Sequence, residues 1–187
     1  MLSPIVIADG LRGSDVKPVR VDGKHFETVD VAAAIHDADS LVVSTHVTGH
    51  GLTGFAGTIK NLGMGGGGRR MMLAEITAAV LANKKGRAAF FSFLVNVTPS
   101  CDCWNYSAEA SVPDIGFMAS KDPVAIDQAA SDMVMRHLAE ESQVREPSPQ
   151  TKSTFLAGAG TASVRQLTHA EELGLGSRQY ELVRVGD

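Results

Sequence analysis

His46 and His50 lie four residues apart at the head of a glycine-rich stretch, HVTGHGLTGFAGTIKNLGMGGGGRR, over 46–70. Two imidazoles that titrate near neutrality suit a transition metal, and either could act as a base. Glycines at 49, 51 and 54 make a helix poor here, so a loop leaving a strand end is expected to turn both rings toward one point. Lys60 and Asn61 fall in the same stretch; a lysine there could bind an anion or, with a lowered pKa, take a proton. The plain alternatives are incidental histidines and a solvent-facing lysine. Set among glycines, where side-chain packing contributes little, Lys60 is expected to matter to activity or anion binding more than to folding, and Lys60→Ala to alter stability by at most about 0.5 kcal/mol, as at an ordinary surface site. Backbone amides around Gly57 and Gly65, and Arg69 at the start of the next helix, are candidates for holding a small anion. The stretch is not a phosphate loop, because no Lys-Ser/Thr follows the last glycine. Nor does it form a dinucleotide fingerprint, since Gly63 to Gly68 do not directly follow a strand.

The second cluster is Cys101-Asp102-Cys103-Trp104. In an extended chain the residues at i and i+2 point the same way, so both sulfurs could reach one soft metal. Two sulfurs do not complete a tetrahedral site, and His46 and His50 are the obvious further ligands. Buried inert cysteine is the alternative. A bridge between residues this close in sequence is not expected. Asp114 and Asp127 are candidates to orient ligating histidines, and Asp114, like Lys60 and His50, to move protons. Asp122 reads instead as a helix cap ahead of Pro123. Methionines at 71, 72, 133 and 135 read as core filler. Ser44 or Ser100 beside His46 is a weaker hydrolase possibility, as neither lies in a nucleophile-elbow sequence.

The elements that must position these residues follow from hydrophobic period and breakers. Strands are expected at 4–8, 40–44, 88–97, 115–119 and 180–185, with 88–97 central. Helices are expected over 29–38, 71–83, 122–141 and 168–173, and a solvated loop over 146–152. Interleaved strands and helices over 1–187 predict a single α/β domain, a layered sheet with flanking helices and binding loops at the strand ends.

Bulk properties narrow the function. The chain has 187 residues, 44% hydrophobic and 20% charged, with a net charge of −4. A pI near 5.8 argues against a nucleic-acid surface, and no apolar run is long enough to span a membrane. The start lacks the pattern of a secretory signal, and two cysteines do not make a disulfide framework, so a reducing cytoplasm is the expected setting.

Taken together, GHGLTGFAGTIKNLGMG at 49–65, SCDCW at 100–104, PDIGFMASKDPVAIDQAASD at 113–132 and HAEELGLGSRQYELV at 169–183 resemble the family of uncharacterised Fe–S centre proteins, domain of unknown function 362. PIVIADGLRGSD at 4–15 resembles that family's middle region. Members commonly carry a ferredoxin-like insert after the Gly-Met-Gly element and a further N-terminal portion. No cysteine-rich insert follows Gly65 to Gly68, the chain is expected to start in the family's middle, and two cysteines cannot ligate a ferredoxin-type pair of [4Fe-4S] clusters. The resemblance implies redox-associated chemistry. With the residues above it gives the expectation of a metal-dependent enzyme, using Fe or Zn, that acts on a small anionic molecule. A metal-assisted hydrolase or isomerase and a non-enzymatic binding or assembly module are the alternatives. Loss of the N-terminal portion would bare apolar strands, so a homodimer or larger oligomer is expected.

Overall fold

The computed structural model describes residues 3–64, 72–106, 108–156 and 159–186. Its centre is a three-stranded sheet in the order β3 (Leu41–His46), β6 (Ala88–Leu94), β7 (Gly116–Ser120). β3 runs parallel to β6 and β7 antiparallel to it, so β6 is the central strand that its apolar run predicts. Parallel neighbours need a crossover. Here it contains the hairpin β4 (Thr48–His50) and β5 (Gly54–Ala56), then α2 (Thr58–Gly63) and α3 (Met72–Leu81).

One sheet face is sealed by α4 (Pro123–Glu141), where Val43, Phe90 and Ile126 are buried together. Asp122 caps α4 by accepting from the amides of Val124 and Ala125, both at 2.8 Å, and Pro123 occupies the first turn, as the sequence predicts. The opposite face carries Val42, Phe91 and Phe117, which are 70%, 42% and 72% exposed. A second hairpin, β1 (Val16–Arg20) with β2 (Thr28–Ala32), packs Val29 and Val31 against Ile76 and Val80 of α3. Helix α6 (Ala159–Glu172) closes a further cluster of Ile59, Ala74, Val124, Leu167 and Ala170. The mixed architecture of sheets flanked by helices is the α/β class expected.

Several boundaries differ from the sequence reading. Residues 29–38 split into β2 and a short helix α1 (Ala33–Asp37), because Val29 and Val31 are buried with a period of two and Thr28, Val29 and Val31 are β-branched. The expected strands at 4–8 and 180–185 are not strands. Ile5, Val6, Leu182 and Val183 are 98%, 65%, 54% and 69% exposed, and an apolar run becomes a strand only where a neighbour pairs with it. The expected loop at 146–152 includes α5 (Pro149–Thr151), capped by Ser148, followed by a π-helical turn over Lys152–Leu156. The short helix expected at 168–173 is the end of α6. Met133 and Met135 pack on the main core as filler, whereas Met71 lies outside the described residues. No helix among the described residues is long and apolar enough to cross a membrane.

Candidate metal centre

Over 46–63 the glycine-rich stretch is largely strand and helix rather than an open loop. His50 ends β4, and Gly54, at φ 74°, starts β5 opposite it. The chain then enters α2 at Gly57. Here a helix start is buried, so its free amides need acceptors. Asp127 supplies them from α4: its carboxylate accepts from the amides of Thr58 and Ile59 at 2.6 and 2.9 Å. A Cβ on Gly57 would collide with that carboxylate. Asp127 is therefore a helix cap supplied from a distant element. It sets the direction of α2 and hence the position of Lys60, and its oxygens bind amides rather than a histidine ring.

Burial drives the Asp127 carboxyl up to about 6, against the two amide bonds that favour its charged form. The sign for stability follows. Below about pH 3.8 the group is protonated folded or unfolded. Between there and about 6 the unfolded chain loses the proton first, so stability falls as pH rises through that window and levels off above it. The expected contribution is a loss of up to about 3 kcal/mol across the window. Denaturant titrations of the protein and of Asp127→Asn at pH 4 to 7 measure it. The difference between the two should change across this range, and a constant difference would show that Asp127 titrates as in water.

The Cys-Asp-Cys segment follows β6 as a tight turn, closed by the Trp104 amide donating to the Cys101 carbonyl at 3.1 Å. The turn overturns the expectation that these cysteines do not bridge. With the Cα atoms 5.3 Å apart, inside the range a disulfide spans, Cys101 and Cys103 are bonded to each other. An extended chain would have held the sulfurs side by side; the turn folds them together.

His50, Cys101 and Cys103 offer ligand atoms that all lie within 4.8 Å of one another. Cys101 is buried and Cys103 exposed. The Lys60 ammonium donates to Cys101 Sγ at 3.4 Å, and the Cys103 amide does so at 3.1 Å. Burial holds the Lys60 pKa below its ordinary value, partly offset by the charge of Asp102. Burial and then the Lys60 charge also lower the His50 pKa, so its imidazole is neutral at pH 7. Long bonds from the amides of Leu52 and Thr53, 3.3 and 3.2 Å, reach His50 Nδ1. They weakly favour the tautomer with its proton on Nε2.

His46 was expected to be a ligand, yet both its nitrogens are engaged. Nδ1 lies 2.6 Å from an Asp102 oxygen and Nε2 lies 2.9 Å from the Val95 carbonyl. Burial disfavours its charge, but the hydrogen bonds to Asp102 and Val95 outweigh that and raise its pKa. The ring is a clamp on the Cys-Asp-Cys turn. Asp102 is thus a contributor that the sequence reading passed over, although an acid between two candidate ligands was the available signal.

Of the remaining candidates, Lys60 reaches the group, and the others sit apart from it or lie outside the described residues. Lys60 is only 8% exposed and on a helix, so the surface reading and its small stability effect do not hold. Asn61 gives its amide hydrogens to Ser44 O and Thr45 Oγ1, tying α2 to β3. Asp114 accepts from the Asn96 amide at 2.7 Å, where Asn96 adopts φ 49°; it holds a turn after β6 and bonds neither histidine. Gly65 and Arg69 lie outside the described residues. A cavity of about 250 Å³ between Val112, Leu138, Arg145 and Thr151 includes none of the candidates.

The donor set is two thiols and one imidazole, available once the bridge is reduced. That set could hold a metal ion with a fourth position open, and two sulfurs do not suffice for a cluster requiring four thiolates.

Among known proteins, no curated protein and no solved structure matches this chain. A family model described as "Domain of unknown function (DUF362)" matches residues 3–132. The chain belongs to that family.

Proposed function

We propose that this member of the domain of unknown function 362 family is a metal-dependent enzyme acting on a small anionic molecule, with His50, Cys101 and Cys103 as the ligands. The carrying observation is the convergence of these three donors with the buried Lys60 from three separate segments, β4, α2 and the Cys-Asp-Cys turn. When bound, Zn or Fe would supply a Lewis acid to polarise the substrate. The chain's own residues do the rest. Lys60 attracts the anion and, with its lowered pKa, holds a proton that it can give up. His46 and Asp102 fix the turn that presents the sulfurs. Redox chemistry, hydrolysis and isomerisation share this geometry.

The test uses reduced protein loaded with Co(II), whose visible spectrum reports its coordination. Adding phosphate or a small carboxylate is expected to shift the spectrum of the wild type. Lys60→Met should bind the metal with the anion response weakened about tenfold or more, as expected for loss of one buried charge. An identical anion response in both proteins would remove Lys60 from the site, and no response in either would refute an anionic substrate at the metal.

We also propose that a second copy covers the sheet face bearing Val42, Phe91 and Phe117, whose rings and methyls are otherwise exposed. Light scattering over a dilution series is expected to show a dimer that dissociates on dilution. A monodisperse monomer throughout the micromolar range would refute it.

A further inference from the structure

Bonded sulfurs at a candidate metal centre have a chemistry of their own, and its direction can be read from their surroundings. Cys101 is 4% exposed, while Cys103 faces solvent. An external thiolate can therefore reach only the Cys103 sulfur. Attack there breaks the bridge and sends its electron pair to Cys101 Sγ. That atom already accepts from the Lys60 ammonium and from the Cys103 amide. Exchange is faster when the departing sulfur is stabilised as a thiolate. Trp104 and Tyr106, which follow Cys103 in the chain, are exposed, with ring centroids 6.1 Å apart.

We infer that Cys101 and Cys103 carry out thiol–disulfide exchange with a low-molecular-weight thiol, Cys103 being the sulfur attacked and Cys101 the departing thiolate received by Lys60. The first thiolate forms a mixed disulfide on Cys103 and leaves Cys101 as a thiolate. A second thiolate attacks the external sulfur of that mixed disulfide, releasing the small disulfide and the Cys103 thiolate. In sum, the bridge and two thiols give the dithiol and one small disulfide, and the reverse sequence closes the bridge. Lys60 is a positioning residue in this reaction, since it acts through the Cys101 sulfur. The inference stands apart from the metal reading, because exchange needs no metal.

The experiment is run in chelator, with reduced and oxidised glutathione as probes and mass spectrometry after acid quenching. The chain has two cysteines, so every adduct is assignable. With oxidised glutathione, Cys101→Ser is expected to accumulate an adduct on Cys103 at least about tenfold faster than Cys103→Ser does on Cys101. With reduced glutathione, opening of the bridge should slow about tenfold in Lys60→Met and recover in Lys60→Arg. Equal trapping in the two serine variants would overturn the assignment of Cys103. Opening of Lys60→Met at the wild-type rate would overturn the role of Lys60. If a melting curve shows Lys60→Met unfolded, Lys60→Arg is compared with Lys60→Gln, and equal opening rates in those two would overturn that role as well.

Discussion

Glu75→Ala is expected to cost about 3–5 kcal/mol of folding stability, a large part of what holds a domain together. Glu75 projects from α3 and is fully buried. Its carboxylate accepts from three consecutive amides, Lys24 at 2.9 Å, His25 at 3.1 and 3.2 Å, and Phe26 at 2.9 Å. It also meets His169 Nε2 of α6 at 3.0 Å, so one side chain ties the β1–β2 connection to two helices. Alanine would strand three amides and leave a buried imidazole without this partner, and each unsatisfied group carries its own desolvation penalty. Glu75→Gln keeps an acceptor and much of the shape, so its loss should be smaller. Burial alone would raise the Glu75 pKa, but the bonds from His169 and the three amides lower it. Its stabilisation is therefore present above the unfolded pKa and is lost as pH falls through the folded value, opposite in sign to Asp127. Chemical denaturation at pH 7 is the measurement. A Glu75→Ala loss under about 1 kcal/mol would show that water replaces the carboxylate.

Metal affinity should respond most to the sulfurs. Cys101→Ser and Cys103→Ser are each expected to weaken Zn binding to the reduced chain by about 100-fold or more, because a serine hydroxyl is a poor ligand for a borderline-soft ion. His50→Ala should cost a similar order, since it removes the third donor. His46→Ala should cost about tenfold, the scale on which residues that orient ligands act. This ordering, with the thiols and His50 above His46, separates a ligand from a clamp. Competition titration against a chromophoric chelator reads all four variants, and equal losses for His46→Ala and His50→Ala would return His46 to the ligand set.

How far the sequence carries depends on whether a residue's partner is local. Asp122 and Pro123 declare the start of α4 because a cap and its amides lie within three residues. The central position of β6 shows in its largely apolar run, AAFFSFL, which Ser92 alone interrupts, although the structure buries only one face of the strand well. The convergence of His50 with the two cysteines is also legible, as both segments leave neighbouring parallel strands at the same sheet edge. What the sequence hides is long-range. Asp127 caps a helix 69 residues away, and Glu75 binds a loop about fifty residues away. No local period encodes either pairing. The role of His46 turned on Asp102, which reads as a spacer until the turn folds it back. Gly57 reads in the sequence as part of an anion cradle, but it lets protein approach protein, at Asp127, as Gly49 does at Pro99.

The proposed metal centre exists only when Cys101 and Cys103 are reduced. Its most direct test is a Co(II) titration of the same sample before and after treatment with a non-coordinating phosphine reductant. The reduced chain should take up one equivalent of Co(II) with thiolate-to-metal charge-transfer absorption, and the oxidised chain should take up none. Absence of that absorption in the reduced chain, or its persistence in Cys101→Ser and Cys103→Ser, would contradict the account.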